Sequence, residues 1–286
     1  MNPPALESLQ INLGALRFDA LAAGPGGGPL VLLLHGFPTT SQGWRRILPR
    51  LAAAGFRAVA PDGRGLSPGA RPLELEAYRV EHLVADVIGI ADRLGAERFH
   101  LVGHDWGGIT AWQVASRHPR RLRSLSVVST PHLSAFRRAL EDPGCDQRQR
   151  SVYFETFRAP GGIAEDAWLN RPGGMRALYL AAGLDAEDAD LFAPRLSERA
   201  ALTGTLNWYR ADEPPWDVGI GKIEVPTLYC WGTEDPALGR EAAVWTADFV
   251  SAPYRLEIFE GANHWLPERE AERLGSLILE HLRANG

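Results

Sequence analysis

Apolar residues in this chain gather in short continuous runs, and longer amphipathic stretches separate most of these runs. After two strand-like segments near the amino terminus, residues 30–34 are all apolar, as expected for a central strand covered on both faces. Further strands are predicted at 56–60, 99–102, 122–128, 225–231 and 254–259. Helices are predicted at 44–54, 76–94, 109–118 and 268–282. This alternation predicts a mostly parallel sheet with helices on both faces.

The pattern changes in the middle of the chain. From residue 131 to residue 217 it loses its strand character and becomes helical and richer in aromatic side chains. We therefore predict a core in two parts, 1–130 and 218–286, with a helical cap at 131–217 inserted between them. A glycine-rich segment at 24–28 lies between two predicted strands, where its position suits a turn and does not suit a phosphate-binding loop.

Composition and charge narrow the possible partners. The chain has 286 residues, a mass of 31.3 kDa and a formal net charge of -5, with a pI near 5.9. This charge gives no electrostatic basis for binding nucleic acid or an anionic membrane surface. The first residues lack the profile of a signal peptide, and no apolar run approaches transmembrane length. Cys145 and Cys230 fit no metal spacing, so we expect a protein of the reducing cytoplasm.

The most informative segment is 103–108, with the sequence Gly-His-Asp-Trp-Gly-Gly. It follows a predicted strand and opens a predicted helix, which is the setting of the nucleophile elbow in α/β-hydrolases. Small residues flank such a turn because the strained backbone of its central residue leaves no room for larger neighbours. Asp105 stands where serine hydrolases carry serine. An aspartate here could simply cap the helix, but the glycine spacing favours a nucleophile.

A carboxylate nucleophile limits the possible reactions. Asp105 could displace a leaving oxygen or halide from a saturated carbon and so become an alkyl ester of the protein. Water would then have to attack the carbonyl of that ester. The substrate therefore needs an electrophilic sp3 carbon, as in an epoxide or a haloalkane.

Hydrolysis of such an ester needs a base, and in this fold the base lies on the loop after the final strand. His264 is the histidine, among eight in the chain, that stands at this position. A carboxylate on the loop after the strand ending at Trp231 would orient the imidazole, and we assign Asp235 over its neighbour Glu234. The other common location for the acid offers only the hydroxyl residues 129–130, which argues against it.

Ester hydrolysis also passes through a tetrahedral oxyanion, which backbone N–H groups can stabilise. We predict that the N–H groups of Trp106 and Phe37 form this oxyanion hole. Trp106 begins a predicted helix, and Phe37 lies in the segment His-Gly-Phe-Pro at 35–38, just after a predicted strand. A cis peptide bond before Pro38 would fix this turn and aim the Phe37 N–H.

With these residues the sequence resembles the soluble epoxide hydrolases of the α/β-hydrolase fold. The resemblance runs from about Val31 to the carboxyl terminus. It rests on segments 35–38 and 103–108, on Asp235 and on the pair His264 and Trp265. It implies conversion of an epoxide to a vicinal diol through an ester on Asp105, followed by attack of water activated by His264 and Asp235.

Two segments of the predicted cap add to the resemblance. Residues 206–210, Leu-Asn-Trp-Tyr-Arg, and residues 153–161 resemble the two family segments that each carry an acid tyrosine. The resemblance implies that Tyr209 and Tyr153 hydrogen-bond the epoxide oxygen and protonate it as the ring opens. The segment 153–161 departs from the family by having threonine and arginine where aromatic and glutamine residues are usual.

Three other kinds of protein share parts of this pattern. Haloalkane dehalogenases have the same nucleophile, base and Trp106, but they typically carry asparagine where this chain has Phe37. Haloacetate dehalogenases resemble the chain at 35–38 but normally carry arginines just after the nucleophile, where Trp106 and Ile109 stand here. A non-catalytic binding protein of the same fold is the third possibility.

Together the residues predict an epoxide hydrolase that acts on a small lipophilic epoxide and water. We expect no metal or organic cofactor, no nucleic acid partner and no insertion into a membrane. The substrate pocket should lie between core and cap and be largely apolar, with Phe37, Trp106 and Trp208 among its lining residues.

Overall fold

Eight strands form one sheet in the computed structural model, which describes residues 4–214 and 220–286. The strands are β1 Glu7–Leu13, β2 Leu16–Ala23, β3 Leu30–Leu34, β4 Arg57–Pro61, β5 Phe99–His104, β6 Leu122–Val128, β7 Thr227–Gly232 and β8 Tyr254–Phe259. Their order across the sheet is β1-β2-β4-β3-β5-β6-β7-β8. The pairs β1–β2 and β2–β4 are antiparallel, and the strands from β4 to β8 are parallel. The predicted mostly parallel sheet is confirmed.

Thirteen helices lie between and after the strands in the described part of the chain. They are α1 Leu48–Ala53, α2 Val80–Arg93, α3 Trp106–Arg117, α4 Leu133–Glu141, α5 Gln147–Arg150, α6 Tyr153–Arg158, α7 Ile163–Leu169, α8 Gly174–Ala181, α9 Ala186–Leu196, α10 Arg199–Ala211, α11 Arg240–Trp245, α12 Leu266–Arg269 and α13 Ala271–Ala284. Short 3-10 turns accompany them at Ser41–Trp44, Leu75–Tyr78, Pro119–Arg121 and Thr246–Phe249.

Helices cover both faces of the sheet because successive residues of each strand point to opposite sides. In β3, Leu32 and Leu34 pack with the apolar sides of α2 and α3, whereas Val31 and Leu33 pack with α1 and α13. The five side chains of β3 are all buried, which explains its uninterrupted apolar sequence.

Between β6 and β7 the described residues form the seven helices α4–α10 and no strand. This agrees with the helical character of 131–217 in the sequence, whereas the predicted boundary between 217 and 218 lies outside the described residues. The division into core and cap therefore stays a prediction, and we use the name cap helices for α4–α10. No helix within 4–214 and 220–286 is both long enough and apolar enough to cross a lipid bilayer.

Several predicted helices begin or end elsewhere for local reasons. The predicted helix 44–54 is a 3-10 turn followed by α1, which has Pro49 in its first turn, where a missing N–H is tolerated. The predicted helix 76–94 is likewise divided into a 3-10 turn and α2. The helix predicted at 109–118 starts earlier, at Trp106, because the glycines before Ile109 are themselves helical.

Glycines allow α3 to lie directly against the strands. A side chain on Gly103 would place its Cβ 2.2 Å from the carbonyl oxygen of Gly107, and one on Gly107 would lie 2.3 Å from the carbonyl oxygen of Leu34. Both contacts are with backbone, which cannot move aside as a flexible side chain could. The spacing of small residues around Asp105 is therefore set by contact between the helix and the sheet as well as by the turn.

We predict that Gly107→Ala destabilises the protein by at least about 2 kcal/mol, because the added methyl group overlaps backbone in a close-packed layer. Gly26→Ala is the matched control, since its Cβ would have no neighbour within 4 Å. The control should change the free energy of unfolding by less than about 0.5 kcal/mol. Urea unfolding followed by circular dichroism measures both, and equal stability of the two variants would contradict the close contact.

Candidate active site

Asp105 occupies the sharp turn between β5 and α3. Its φ of 52° and ψ of -117° lie in a region that residues other than glycine rarely adopt. A Cβ on Gly36, in the loop after β3, would come within 2.5 Å of the Asp105 carboxylate. The bare backbone at position 36 thus lets the loop close over the carboxylate.

Two backbone N–H groups meet the Asp105 carboxylate. Phe37 N–H donates to Oδ1 of Asp105 at 2.7 Å, and the Trp106 N–H also hydrogen-bonds the carboxylate. The Phe37–Pro38 peptide bond is cis. Trp106 begins α3, so the positive end of the helix dipole adds to the stabilisation of a negative charge here. The two predicted donors therefore lie beside the same carboxylate.

His264 lies next to Asp105 on the loop after β8. Its Nδ1–H donates to Oδ2 of Asp235 at 2.8 Å, and its Nε2 is 3.7 Å from Oδ2 of Asp105. Asp235 is fully buried, and its Oδ1 accepts from the N–H groups of Ala237 and Leu238. The neighbouring Glu234 is exposed. Of the two carboxylates weighed in the sequence, Asp235 is the one in contact with the imidazole.

The charges of this cluster are strongly linked. Burial raises the pKa of Asp105, against the opposing effects of the nearby imidazolium and of the two N–H donors. For His264, burial opposes protonation, but Asp235 through its charge and hydrogen bond, and then Asp105 through its charge, raise the pKa to about 9. His264 is therefore protonated near neutral pH.

Tyr153 and Tyr209 project from the cap helices α6 and α10 toward Asp105. Their ring centroids are 6.3 Å apart, and both side chains line the same small cavity as Asp105. Burial, followed by the charge of Asp105, raises the pKa of both hydroxyls well above the usual value. Both phenols therefore remain protonated at any working pH and can act as donors.

The cavity that contains Asp105 is small and mostly apolar. Its volume, measured as space for the centres of water molecules, is about 30 Å³, and a single water needs about 10–15 Å³. Besides Asp105, Trp106 and the two tyrosines, its walls are Ile109, Thr130, Leu133, Phe136, Phe154 and Leu238. No second charged side chain lines it among the described residues.

Trp106 lines this cavity as expected, but Phe37 and Trp208 are not among its walls. Phe37 is stacked on Trp168 of α7 with ring centroids 5.2 Å apart, and its edge meets Tyr209. Trp208 lines a neighbouring cavity of about 50 Å³, which also borders on Trp106. Its indole N–H donates to the carbonyl of Arg64 at 2.9 Å, which connects α10 to the core. Phe37 and Trp208 thus pack behind the side chains that line the cavity of Asp105.

Known proteins are similar to this chain over almost its whole length. The family profile described as the alpha/beta hydrolase fold matches residues 29–271. The chain is 34% identical to epoxide hydrolase A of Mycobacterium tuberculosis, over 95% of this chain and 96% of that protein. The chain belongs to the epoxide hydrolase family of the α/β-hydrolase fold.

Further members of the family agree in sequence and in structure. The chain is 32% identical to epoxide hydrolase 4 of Mus musculus, over 99% of this chain and 82% of that protein. The crystal structure of epoxide hydrolase A from Mycobacterium thermoresistibile superposes with a TM-score of 0.82 at 28% identity, covering 98% of each chain. The resemblance stated from the motifs is therefore confirmed.

In this member of the epoxide hydrolase family, two residues that sequence reasoning did not select hold the backbone of His264. Its carbonyl accepts from Ser129 Oγ at 3.0 Å and from His104 Nε2 at 2.9 Å. Burial, then the charge of His264, holds the pKa of His104 well below its usual value, so that ring is neutral and carries its proton on Nε2. Ser129 has a φ of 67°, and this strained backbone is a signal that only the structure provides.

We predict that the pKa of His264, about 9 in the parent protein, falls in two variants. Asp235→Asn should lower it more than Asp105→Asn, because Asp235 contributes both a charge and a hydrogen bond, whereas Asp105 contributes a charge. Titration of the imidazole by NMR measures each value. The remote ring of His281 serves as an internal control that should not move, and a pKa still near 9 in Asp105→Asn would contradict the linkage.

Proposed function

We propose that this protein hydrolyses small lipophilic epoxides to vicinal diols. The observation that carries the proposal is the placement of a carboxylate, at a turn where an alcohol nucleophile is common, between an imidazole and two phenols. The apolar cavity walls favour neutral substrates, because a charged group would lose its hydration there without a partner. The relatives named above are epoxide hydrolases, which agrees with this activity.

In the first step, an oxygen of Asp105 attacks a carbon of the epoxide and the carbon–oxygen bond of the ring breaks. The released oxygen takes a proton from Tyr209 or Tyr153 as its negative charge develops, so that no free alkoxide has to form. The products of this step are a hydroxyalkyl ester on Asp105 and one tyrosinate.

Ester formation also changes the protonation of His264. The negative charge of Asp105 contributes to the raised pKa of His264, and an ester carries no charge. The pKa of His264 therefore falls once the ester exists, and a larger fraction of the imidazole is in the neutral form that a base requires. Asp235 keeps the ring oriented through the hydrogen bond at Nδ1.

In the second step, water attacks the carbonyl carbon of the Asp105 ester and transfers a proton to Nε2 of His264. The N–H groups of Phe37 and Trp106 stabilise the resulting oxyanion. Its collapse breaks the ester bond, and the imidazolium protonates the departing diol oxygen. The restored carboxyl group then passes its proton to His264, which regenerates the resting carboxylate and imidazolium. The proton that His264 lost after ester formation has meanwhile returned the tyrosinate to phenol.

The group formed by the cap helices α4–α10 acts in this proposal as a cap that closes the site. It supplies both phenols, and α10 contacts the core backbone directly, since a Cβ on Gly204 would lie 2.6 Å from Cα of Gly65. Exclusion of bulk water by such a cover strengthens the electrostatic interactions between Asp105, the phenols and the substrate.

We predict that His264→Gln forms the ester but does not hydrolyse it. After incubation with styrene oxide, intact-mass measurement should find the variant heavier by one substrate molecule, and peptide mapping should place the addition on Asp105. The control His82→Gln changes an exposed histidine of α2 and should turn over normally. An unmodified but inactive His264→Gln would contradict the covalent route.

We predict that the two phenols are specific to epoxide opening. Each single change, Tyr153→Phe or Tyr209→Phe, should slow ester formation, and the double change should slow it by about 10²–10⁴-fold. Rapid-quench kinetics with styrene oxide measures this step, and circular dichroism checks the fold. Unchanged epoxide kinetics in the double variant, or halide release from 1-bromobutane by a parent that forms no diol, would favour a dehalogenase.

A further inference from the structure

A tyrosine of the cap helices that has no role in the proposed reaction contacts the loop that carries Phe37. Tyr179 of α8 is fully buried, and its hydroxyl donates to the carbonyl oxygen of Pro38 at 2.5 Å. Its ring packs edge-on against Phe192 of α9, with ring centroids 5.7 Å apart. Burial, followed by the charge of Glu268, raises the pKa of Tyr179 well above its usual value, so the hydroxyl remains a donor.

The same end of α8 is also bound to the loop that carries His264. The indole N–H of Trp265 donates to the carbonyl of Ala182 at 2.8 Å, one residue beyond the end of α8. Tyr179 therefore donates from the helix to the loop of Phe37, and Trp265 donates from the loop of His264 to the helix. The last turn of α8 therefore holds the loop of Phe37 and the loop of His264 in one arrangement.

Few rotatable bonds separate the Pro38 carbonyl from the Phe37 N–H. The pyrrolidine ring fixes φ of Pro38, and the peptide bond between the two residues is planar. On the other side of Phe37, the carbonyl of Gly36 accepts from Nδ1 of His35 at 2.8 Å. With both sides of Phe37 held, its N–H points at Oδ1 of Asp105 at 2.7 Å.

We propose that Tyr179 is a positioning residue for the oxyanion hole: its hydrogen bond to Pro38 fixes the direction of the Phe37 N–H. This inference rests on the proposed function, because it concerns the ester on Asp105. Ester hydrolysis builds negative charge on the carbonyl oxygen of that ester, whereas ester formation removes charge from the same carboxylate. A donor held toward this oxygen therefore assists hydrolysis more than ester formation.

The test compares the two steps in the same protein. Single-turnover reactions of styrene oxide with excess enzyme give the rate constants of ester formation and ester hydrolysis, and intact mass reports the ester. We expect Tyr179→Phe to lower the ratio of hydrolysis to formation by about tenfold, a part of the about 10²–10³-fold loss seen when an oxyanion donor is removed. The ester should accumulate in the steady state.

Tyr78→Phe is the matched control. Tyr78 is also buried and also donates to a proline carbonyl, that of Pro72 at 2.8 Å, but it has no hydrogen bond to either loop. Loss of stability alone would reduce the active fraction in both variants and leave the ratio of the two rate constants unchanged. A ratio in Tyr179→Phe equal to that of the parent and of Tyr78→Phe would overturn the inference.

In a third variant, Tyr179 is replaced by 4-aminophenylalanine, which fills the same space and keeps a weaker N–H donor. Its ratio should lie between those of the parent and Tyr179→Phe, at least twofold below the parent. If Tyr179→Phe does not fold, the 4-aminophenylalanine variant provides the test. A ratio of hydrolysis to formation equal to the parent's would then overturn the inference. Absence of diol from the parent itself would instead overturn the proposed function.

Discussion

The hydrogen bond from the Phe37 N–H to the Asp105 carboxylate is the contact on which the rest of the site depends. It can form only because the backbone of Asp105 is held at positive φ and because Gly36 has no side chain between the two groups. The turn in its own right is strained, so the packing of α3 against β3 and β5 must stabilise it. The position of the Asp105 carboxylate thus depends on the backbone contacts between α3 and the strands β3 and β5.

The protonation states of Asp105 and His264 depend on each other. A buried carboxylate and a buried imidazole stabilise each other's charged forms, which lets both remain away from bulk water. Loss of one charge changes the protonation of the other group. His264 is accordingly protonated in the resting protein, and any reaction that removes the charge of Asp105 lowers the pKa of this imidazole.

The sequence was most informative where the physical constraint is local. The observed ends of β3 agree with the prediction, because an uninterrupted apolar run bounded by turns leaves little choice. The ends of β8 agree as well, in a segment where charged and apolar residues alternate. The turn at Asp105 could be predicted from the sequence as well, because close contact between backbone segments requires glycines around it. The contact between His264 and Asp235 was predicted from the order in which these residues follow the strands of the fold, and not from any sequence pattern near either residue.

Contacts between distant segments could not be predicted in this way. Ser129 and His104 hold the carbonyl of His264, yet a serine after a strand and a histidine at the end of another strand have many ordinary explanations. Tyr179 is one of several aromatic residues in a helical segment without a distinguishing motif. Which of them reaches Pro38 depends on how α8 packs, and that is decided by the whole assembly of helices.

Trp106 combines two roles that belong to different parts of one residue. Its main chain supplies an N–H to Asp105, whereas its indole ring forms the wall between the cavity of Asp105 and the neighbouring cavity beside Trp208. Any residue except proline offers the same N–H. The indole also hydrogen-bonds Tyr209. A different side chain at this position would therefore keep the N–H beside Asp105 but change both the shape of the binding space and the surroundings of one phenol.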